Sequence, residues 1–197
     1  MGRKELVYKD SKFGLAFCFM GVSAFYCSAQ DSTVVRRGLL RAAGTFAFGS
    51  MPQYNISNDY LTGNVDYYAE NKISVRGDMY YFVTSNSQNS PLKKNDALYF
   101  GAFYHFGHSN FDPLIGLQPG ISYTQMAVEG NPDVPTICPL FSLVGGLNFF
   151  GEKWFHIQAN VRYTVGEHLT GADESNISEI SFNFGLGFNI NVLKKEK

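Results

Sequence analysis

Ile180-Ser181-Phe182-Asn183-Phe184-Gly185-Leu186-Gly187-Phe188-Asn189-Ile190-Asn191-Val192 alternates without a break between an apolar side chain and a small or polar one. A period of two over thirteen residues places all the apolar groups on one face of an extended strand, and no helical spacing fits it. The same pattern returns upstream. Phe155, Ile157, Ala159, Val161, Tyr163 and Val165 alternate with His156, Gln158, Asn160, Arg162 and Thr164. Ile73, Val75, Gly77, Met79, Tyr81 and Val83 alternate with Ser74, Arg76, Asp78, Tyr80, Phe82 and Thr84. The alternation predicts eight strands, near 39–50, 60–69, 73–84, 96–106, 113–126, 138–149, 153–165 and 178–192. Each is about 10–15 residues long, well beyond the 5–6 typical of globular sheets.

The expected connections at 51–59, 85–95, 127–137 and 166–177 are long, and those at 70–72, 107–112 and 150–152 are short. Long and short in turn describe an up-and-down antiparallel barrel with one decorated end and one plain end. The long connections hold turn-forming stretches, Asn55-Ile56-Ser57-Asn58, Ser85 to Pro91 and Gly130-Asn131-Pro132-Asp133. Pro119 falls inside the fifth strand, where it has no N–H to give a ladder, so a bulge or a local break is expected there.

Composition narrows the class. Of 197 residues 45% are hydrophobic and 17% charged, against about 25% charged in soluble domains. With 16 Lys+Arg against 17 Asp+Glu the chain has no basic excess for binding nucleic acid. A soluble barrel would carry Lys and Glu on its wet face. Here the polar face of the expected strands is Asn, Ser, Thr, Gln and Gly with a few charges, and no Lys falls in an expected strand interior. Small polar groups suit a crowded lumen, and Phe, Leu, Ile and Val suit lipid. The reading is an all-β, eight-stranded transmembrane barrel.

The first 29 residues read as an address. Arg3, Lys4, Lys9 and Lys12 precede the uncharged run Phe13–Cys27, and Cys27-Ser28-Ala29 supplies small residues for cleavage after Ala29. This resembles a secretory signal peptide. Tyr26 before Cys27 does not suit a lipoprotein signal, and the run is shorter than the roughly 20 apolar residues of an anchor. The mature chain would then run as a periplasmic segment 30–38, a barrel 39–193 and a periplasmic tail 194–197. It keeps one cysteine, Cys138, and so has no intramolecular disulfide to form.

On this pattern the chain resembles the small eight-stranded outer-membrane barrels of Gram-negative bacteria, of the outer-membrane protein A, X and W type. Asn183, Gly185, Phe188 and Ile190 resemble the terminal-strand signal read by the barrel-assembly machinery (polar, then glycine, aromatic and hydrophobic at fixed spacing), although the chain runs on through Val192 and Leu193 to Lys194-Lys195-Glu196-Lys197. The resemblance implies short turns in the periplasm, long loops outside and both termini in the periplasm. It also implies outer-membrane lipids and the assembly machinery as partners, with a possible extracellular ligand of unknown identity at the loops, and a monomer.

An eight-stranded lumen is just wide enough for side chains to fill. The inward-phase charges Arg41, Asp66, Glu70, Arg76, Asp78 and Arg162 balance, three against three, as a buried ion-pair network must. His156 is read as lumen filling. His105 and His108 have no third ligand nearby, so no metal site is expected, and no cofactor. His108-Ser109-Asn110 invites comparison with lipid A deacylase barrels, but it lacks their spacing residue and lies at the plain end, with Glu129 at the other. The expected function is structural support, or binding and adhesion through the outer loops, without catalysis. The alternatives are a lipid A-modifying enzyme and a narrow channel or transporter for small hydrophobic molecules.

Overall fold

The computed structural model describes residues 36–86, 90–107, 110–127, 134–170 and 173–193. The signal segment, the trio's His108 and Ser109, Glu129, the stretch Gly130-Asn131-Pro132-Asp133 and the tail 194–197 lie outside them. Nine strands follow in order: β1 Leu39–Met51, β2 Ile56–Glu70, β3 Ile73–Ser85, β4 Leu92–His105, β5 Phe111–Met126, β6 Thr136–Glu152, β7 Phe155–Thr170, β8 Asp173–Asn176 and β9 Glu179–Asn191. Each of β1 to β7 pairs antiparallel with the next, β7 with β9 and β9 with β1, so eight strands close a ring. The ninth, β8, is a four-residue ladder that lengthens the β7 hairpin beyond the ring.

The alternation sets the faces. Phe46, Leu61, Met79, Phe100, Leu117, Phe184 and Leu186 are exposed on the outer wall, while Arg41, Asp66, Arg76, Gln118, Ser142 and Arg162 are buried inside. This is a globular protein's polarity turned inside out, the arrangement a barrel needs to stand in lipid. Aromatic groups ring the plain end, where Tyr104 meets Phe106 and Phe111 meets Phe149, each pair 4.9 Å between centroids, and Trp154 stacks on Phe188 at 5.9 Å. Such a girdle marks the membrane–water interface.

Seven of the eight ring strands are longer than the sequence suggests, the last being slightly shorter, and the outer connections are correspondingly shorter. β2 starts at Ile56, so the first connection is the turn 52–55, closed by Asn55 in the left-handed region at φ 52°. Ile56 and Asn58, which read as loop formers, are buried inside the barrel. Turn chemistry misleads here because the lumen itself wants Asn and Ser. Likewise β4 starts at Leu92, which puts Lys93 and Lys94 within a strand after all, at its outer end. Pro119 breaks a ladder without a bulge. Its pairing with Phe141 on β6 is intact, whereas the β4–β5 register passes from Tyr99↔Gly120 to Ala102↔Leu117 without change. The missing N–H therefore faces β4.

Candidate functional site

The lumen is the one place where this chain concentrates polar chemistry, and the strand registers dictate its partners. Asp66 on β2 lies opposite Arg41 on β1 and opposite Arg76 on β3. Both guanidiniums converge on its Oδ2, Arg76 Nη2 at 3.0 Å and Nε at 3.2 Å, with Arg41 Nη2 in direct contact. All three residues are at most 1% exposed. Further out, Arg162 donates to Ser142 Oγ (2.7 Å), Gln118 Oε1 (2.7 Å) and Tyr80 Oη (3.0 Å), and its Nη2 stands 3.2 Å from Asp78 Oδ2. Gln118 Nε2 donates to Asp78 Oδ2 at 2.6 Å, so charge and amide form one cluster. Each of these three arginines also lies over an aromatic ring: Arg41 over Tyr68 (5.0 Å), Arg76 over Phe103 (4.5 Å) and Arg162 over Tyr99 (4.1 Å). A desolvated guanidinium over a ring face gains a further attraction that a solvated one does not.

Glu70 does not join this network. Ala69 is bulged, so Tyr68 pairs with Ser74 but Glu70 with Ile73. The extra residue shifts the phase and leaves Glu70 exposed at a turn of two residues, Asn71-Lys72, where the sequence suggests three. Of the terminal-strand residues, Asn183 and Gly185 face the lumen, while Phe188 and Ile190 are exposed on the outer wall.

Two polar clusters escape the sequence reading. At the plain end His105 presents Nδ1 to Asp112 Oδ2 and Nε2 to Ser74 Oγ, each at 2.8 Å. Tyr68 Oη and Asn148 Nδ2 both donate to the same Asp112 oxygen at 3.0 Å. Serine, histidine and carboxylate at these spacings are the parts of a hydrolytic triad. Here all three are wholly buried, and Tyr68 and Asn148 both hold the acid. Toward the other end Glu179 accepts from Tyr60 Oη (2.8 Å) and Asn58 Nδ2 (3.2 Å), with Asn95 donating to Tyr60 Oη (3.1 Å). No Arg, Lys or His among the described residues pairs with Glu179. His105 and Asp112 flank one turn and Glu179 opens a strand, positions where alternation alone says little about facing. Above Glu179 the lumen turns mostly apolar: Met51, Ile56, Leu92, Met126, Cys138, Leu140 and Ile177 are all buried in one cluster, and His168 is buried on the same stretch with Nε2 3.3 Å from the Thr124 carbonyl. Among the described residues no group of three metal-ligating side chains gathers.

A closed eight-stranded barrel, apolar outside and packed with polar side chains within, is an integral outer-membrane barrel protein in architecture. The same fold is found in the outer membrane protein OprG of Pseudomonas aeruginosa (13% identity, 80% of this chain and 98% of that one, TM-score 0.59). It recurs in the N-terminal β-barrel domain of Pseudomonas aeruginosa OprF (11% identity, 79% and 99%, TM-score 0.58) and in Neisserial surface protein A (14% identity, 78% and 96%, TM-score 0.57). At these identities the likeness is one of fold. No protein-family model and no curated protein matches the sequence.

Proposed function

We propose that this protein is a filled barrel of the outer membrane that supports the envelope and binds at the cell surface through its outer rim, without catalysis and without an open pore. The observation that carries this reading is the occupancy of the lumen. Arg162, tied to four partners, crosses it at mid-height, and the apolar cluster around Met51 and Leu92 fills it toward the long-loop end. An ion entering from either side meets first a fixed charge cluster or first a side-chain-filled, mostly apolar segment, and both are costly to cross. The rim is what remains for recognition: the connections 52–55, 86–91 and 127–135 and the β7–β8 hairpin. The last strand is read as the segment engaged by the barrel-assembly machinery, and lipids of the outer membrane are its surroundings.

The test is electrical and chemical. Reconstituted into planar bilayers, the protein is expected to show no large steady conductance, and a stable channel that passes sugars would overturn the filled-lumen reading. Mass spectrometry of lipid A from cells with and without the gene is expected to show identical acylation. A difference would transfer the reading to a lipid-modifying enzyme.

A further inference from the structure

One seam of the barrel is not zipped to its end. The β3–β4 ladder runs from Ile73↔Tyr104 to Tyr80↔Ala97 and stops there. Beyond it β3 stays on β2, through Tyr81↔Leu61, Phe82↔Tyr60, Thr84↔Asp59 and Ser85↔Asn58. β4 stays on β5 over the same span, through Leu92↔Met126, Asn95↔Thr124 and Asp96↔Tyr123. The two strands therefore part toward the long-loop end. Asp96 Oδ1 accepts the Phe82 N–H at 3.0 Å, so a side chain holds a backbone group that a ladder partner would otherwise take.

On the lipid face this parting leaves a groove of about 310 Å³, within the range of small-ligand sites, lined by Met79, Tyr81, Leu98, Ile121, Tyr123 and Ile137. Its mouth is cationic. Lys94 Nζ lies 3.1 Å from Asp96 Oδ2 and 5.1 Å from the Tyr123 ring centroid, with 41% of its side chain exposed. An irregularity between Leu92 and Lys94 leaves Lys93 exposed beside it. Lys94, held by the Asp96 that lines the slot, and exposed Lys93 next to it in the strand thus put two lysines against one carboxylate at this end of an otherwise apolar slot.

We infer that this groove is a binding site for a single net-anionic lipid of the outer leaflet, one acyl chain lying along Leu98, Ile121 and Ile137 and the phosphate head against Lys93 and Lys94. Depth in the bilayer fixes the class of ligand. The slot opens to hydrocarbon and its charged end to the head-group layer, so a chain and an anionic head must arrive joined. Lys94 keeps an exposed ammonium face for the phosphate while Asp96 holds it in place. The inference rests on the barrel standing in a bilayer and is independent of whether its lumen is filled.

Native mass spectrometry of the full-length barrel released from nanodiscs tests it, with phosphatidylglycerol and phosphatidylcholine of equal chain length in equal amounts. One phosphatidylglycerol is expected to be retained in preference by about fivefold or more, the scale of one basic side chain at a lipid surface. Lys93→Gln/Lys94→Gln should abolish the preference and leave weak retention of either lipid. Ile121→Trp, which fills the slot, should lose both. Lys72→Gln/Lys153→Gln at the plain end should leave the preference as in wild type, and gel migration before and after boiling shows that each variant is folded. Equal retention of the two lipids by wild type, a preference that survives loss of Lys93 and Lys94, or one lost equally with Lys72 and Lys153, would overturn the inference.

Discussion

Replacing Asp66 by Asn should destabilise the barrel more than removing either arginine it serves. One oxygen, Asp66 Oδ2, takes Arg41 Nη2 and two nitrogens of Arg76, and the three residues are buried to within 1%. Asp66→Asn keeps the shape but strands two guanidiniums in a desolvated space, and breaking a buried pair in that way costs about 3–5 kcal/mol. Arg76→Met leaves Asp66 still held by Arg41 and forfeits charged hydrogen bonds worth about 1.5–3 kcal/mol. The double variant Asp66→Asn/Arg76→Met does not return to wild type, because Arg41 remains unpaired. The triple Arg41→Met/Asp66→Leu/Arg76→Met removes every charge and should fall within about 1 kcal/mol of wild type or exceed it, since buried ion triads often give way to apolar groups without loss. Equilibrium unfolding from lipid vesicles reports on each, with the single tryptophan, Trp154, as a lipid-facing probe. A cost for Asp66→Asn below that of Arg76→Met, or a triple variant as unstable as Asp66→Asn, would refute the shared-acceptor account.

Gly185→Ala should cost about 1–3 kcal/mol, because its Cβ would fall 2.1 Å from Thr45 Cγ2 and 2.3 Å from the Gly44 carbonyl oxygen. Gly44→Ala on the neighbouring strand meets nothing within 4 Å and should shift stability by no more than about 0.5 kcal/mol; equal costs for the two would contradict the packing. Glu179→Gln keeps one acceptor oxygen, for Tyr60, offers its N–H to the unpartnered Oδ1 of a turned Asn58, and removes a charge with no cationic partner among the described residues, so vesicle unfolding should show equal or greater stability. Gln158 is buried with neither amide atom hydrogen-bonded within the described residues, and Gln158→Leu should raise stability by about 1–3 kcal/mol; a loss would mean that the amide has a partner there. Arg162→Ala alone should leave bilayers electrically silent because the apolar cluster still closes the lumen, whereas adding Leu92→Ser and Met126→Ser should admit a small-ion leak; a leak from Arg162→Ala alone would show that the cluster is no barrier.

Alternation in the sequence carries the faces of the strands and, with a turn length, most of one register. Pairing Asp66 with Arg76 follows from the tight turn between β2 and β3, and the ladder holds that pairing. What it does not carry is the bulge at Ala69, since no side-chain pattern marks where a single residue drops out of a ladder, and Glu70 leaves the lumen for that reason alone. In Tyr80-Tyr81-Phe82 the alternation places Tyr80 inside and Tyr81 on lipid, as observed, but it does not carry which buried group Tyr80 meets, and only the closed ring brings it to Arg162. Strand ends are blurred for a chemical reason, because Asn, Ser and Thr serve both as turn formers and as lumen residues.

The buried charges bear on the fold as much as on the filling of the lumen. A slip of one residue between β2 and either neighbour would turn a whole strand over and carry Asp66, Arg41 or Arg76 into hydrocarbon. A charge on the lipid face near mid-bilayer costs about 2–4 kcal/mol for Arg, added to the loss of the pair inside. One carboxylate between two guanidiniums thus locks β1, β2 and β3 together in a single register. Between β3 and β4 there is no such lock, for Arg76 faces Gly101 and Asp78 faces Tyr99. That seam ends early, and its Asp96 caps Phe82 while meeting Lys94 on the outside. Opposed charges therefore fix register and not the length of a seam, since β1–β9 and β5–β6 carry no facing ion pair and are still paired along their length.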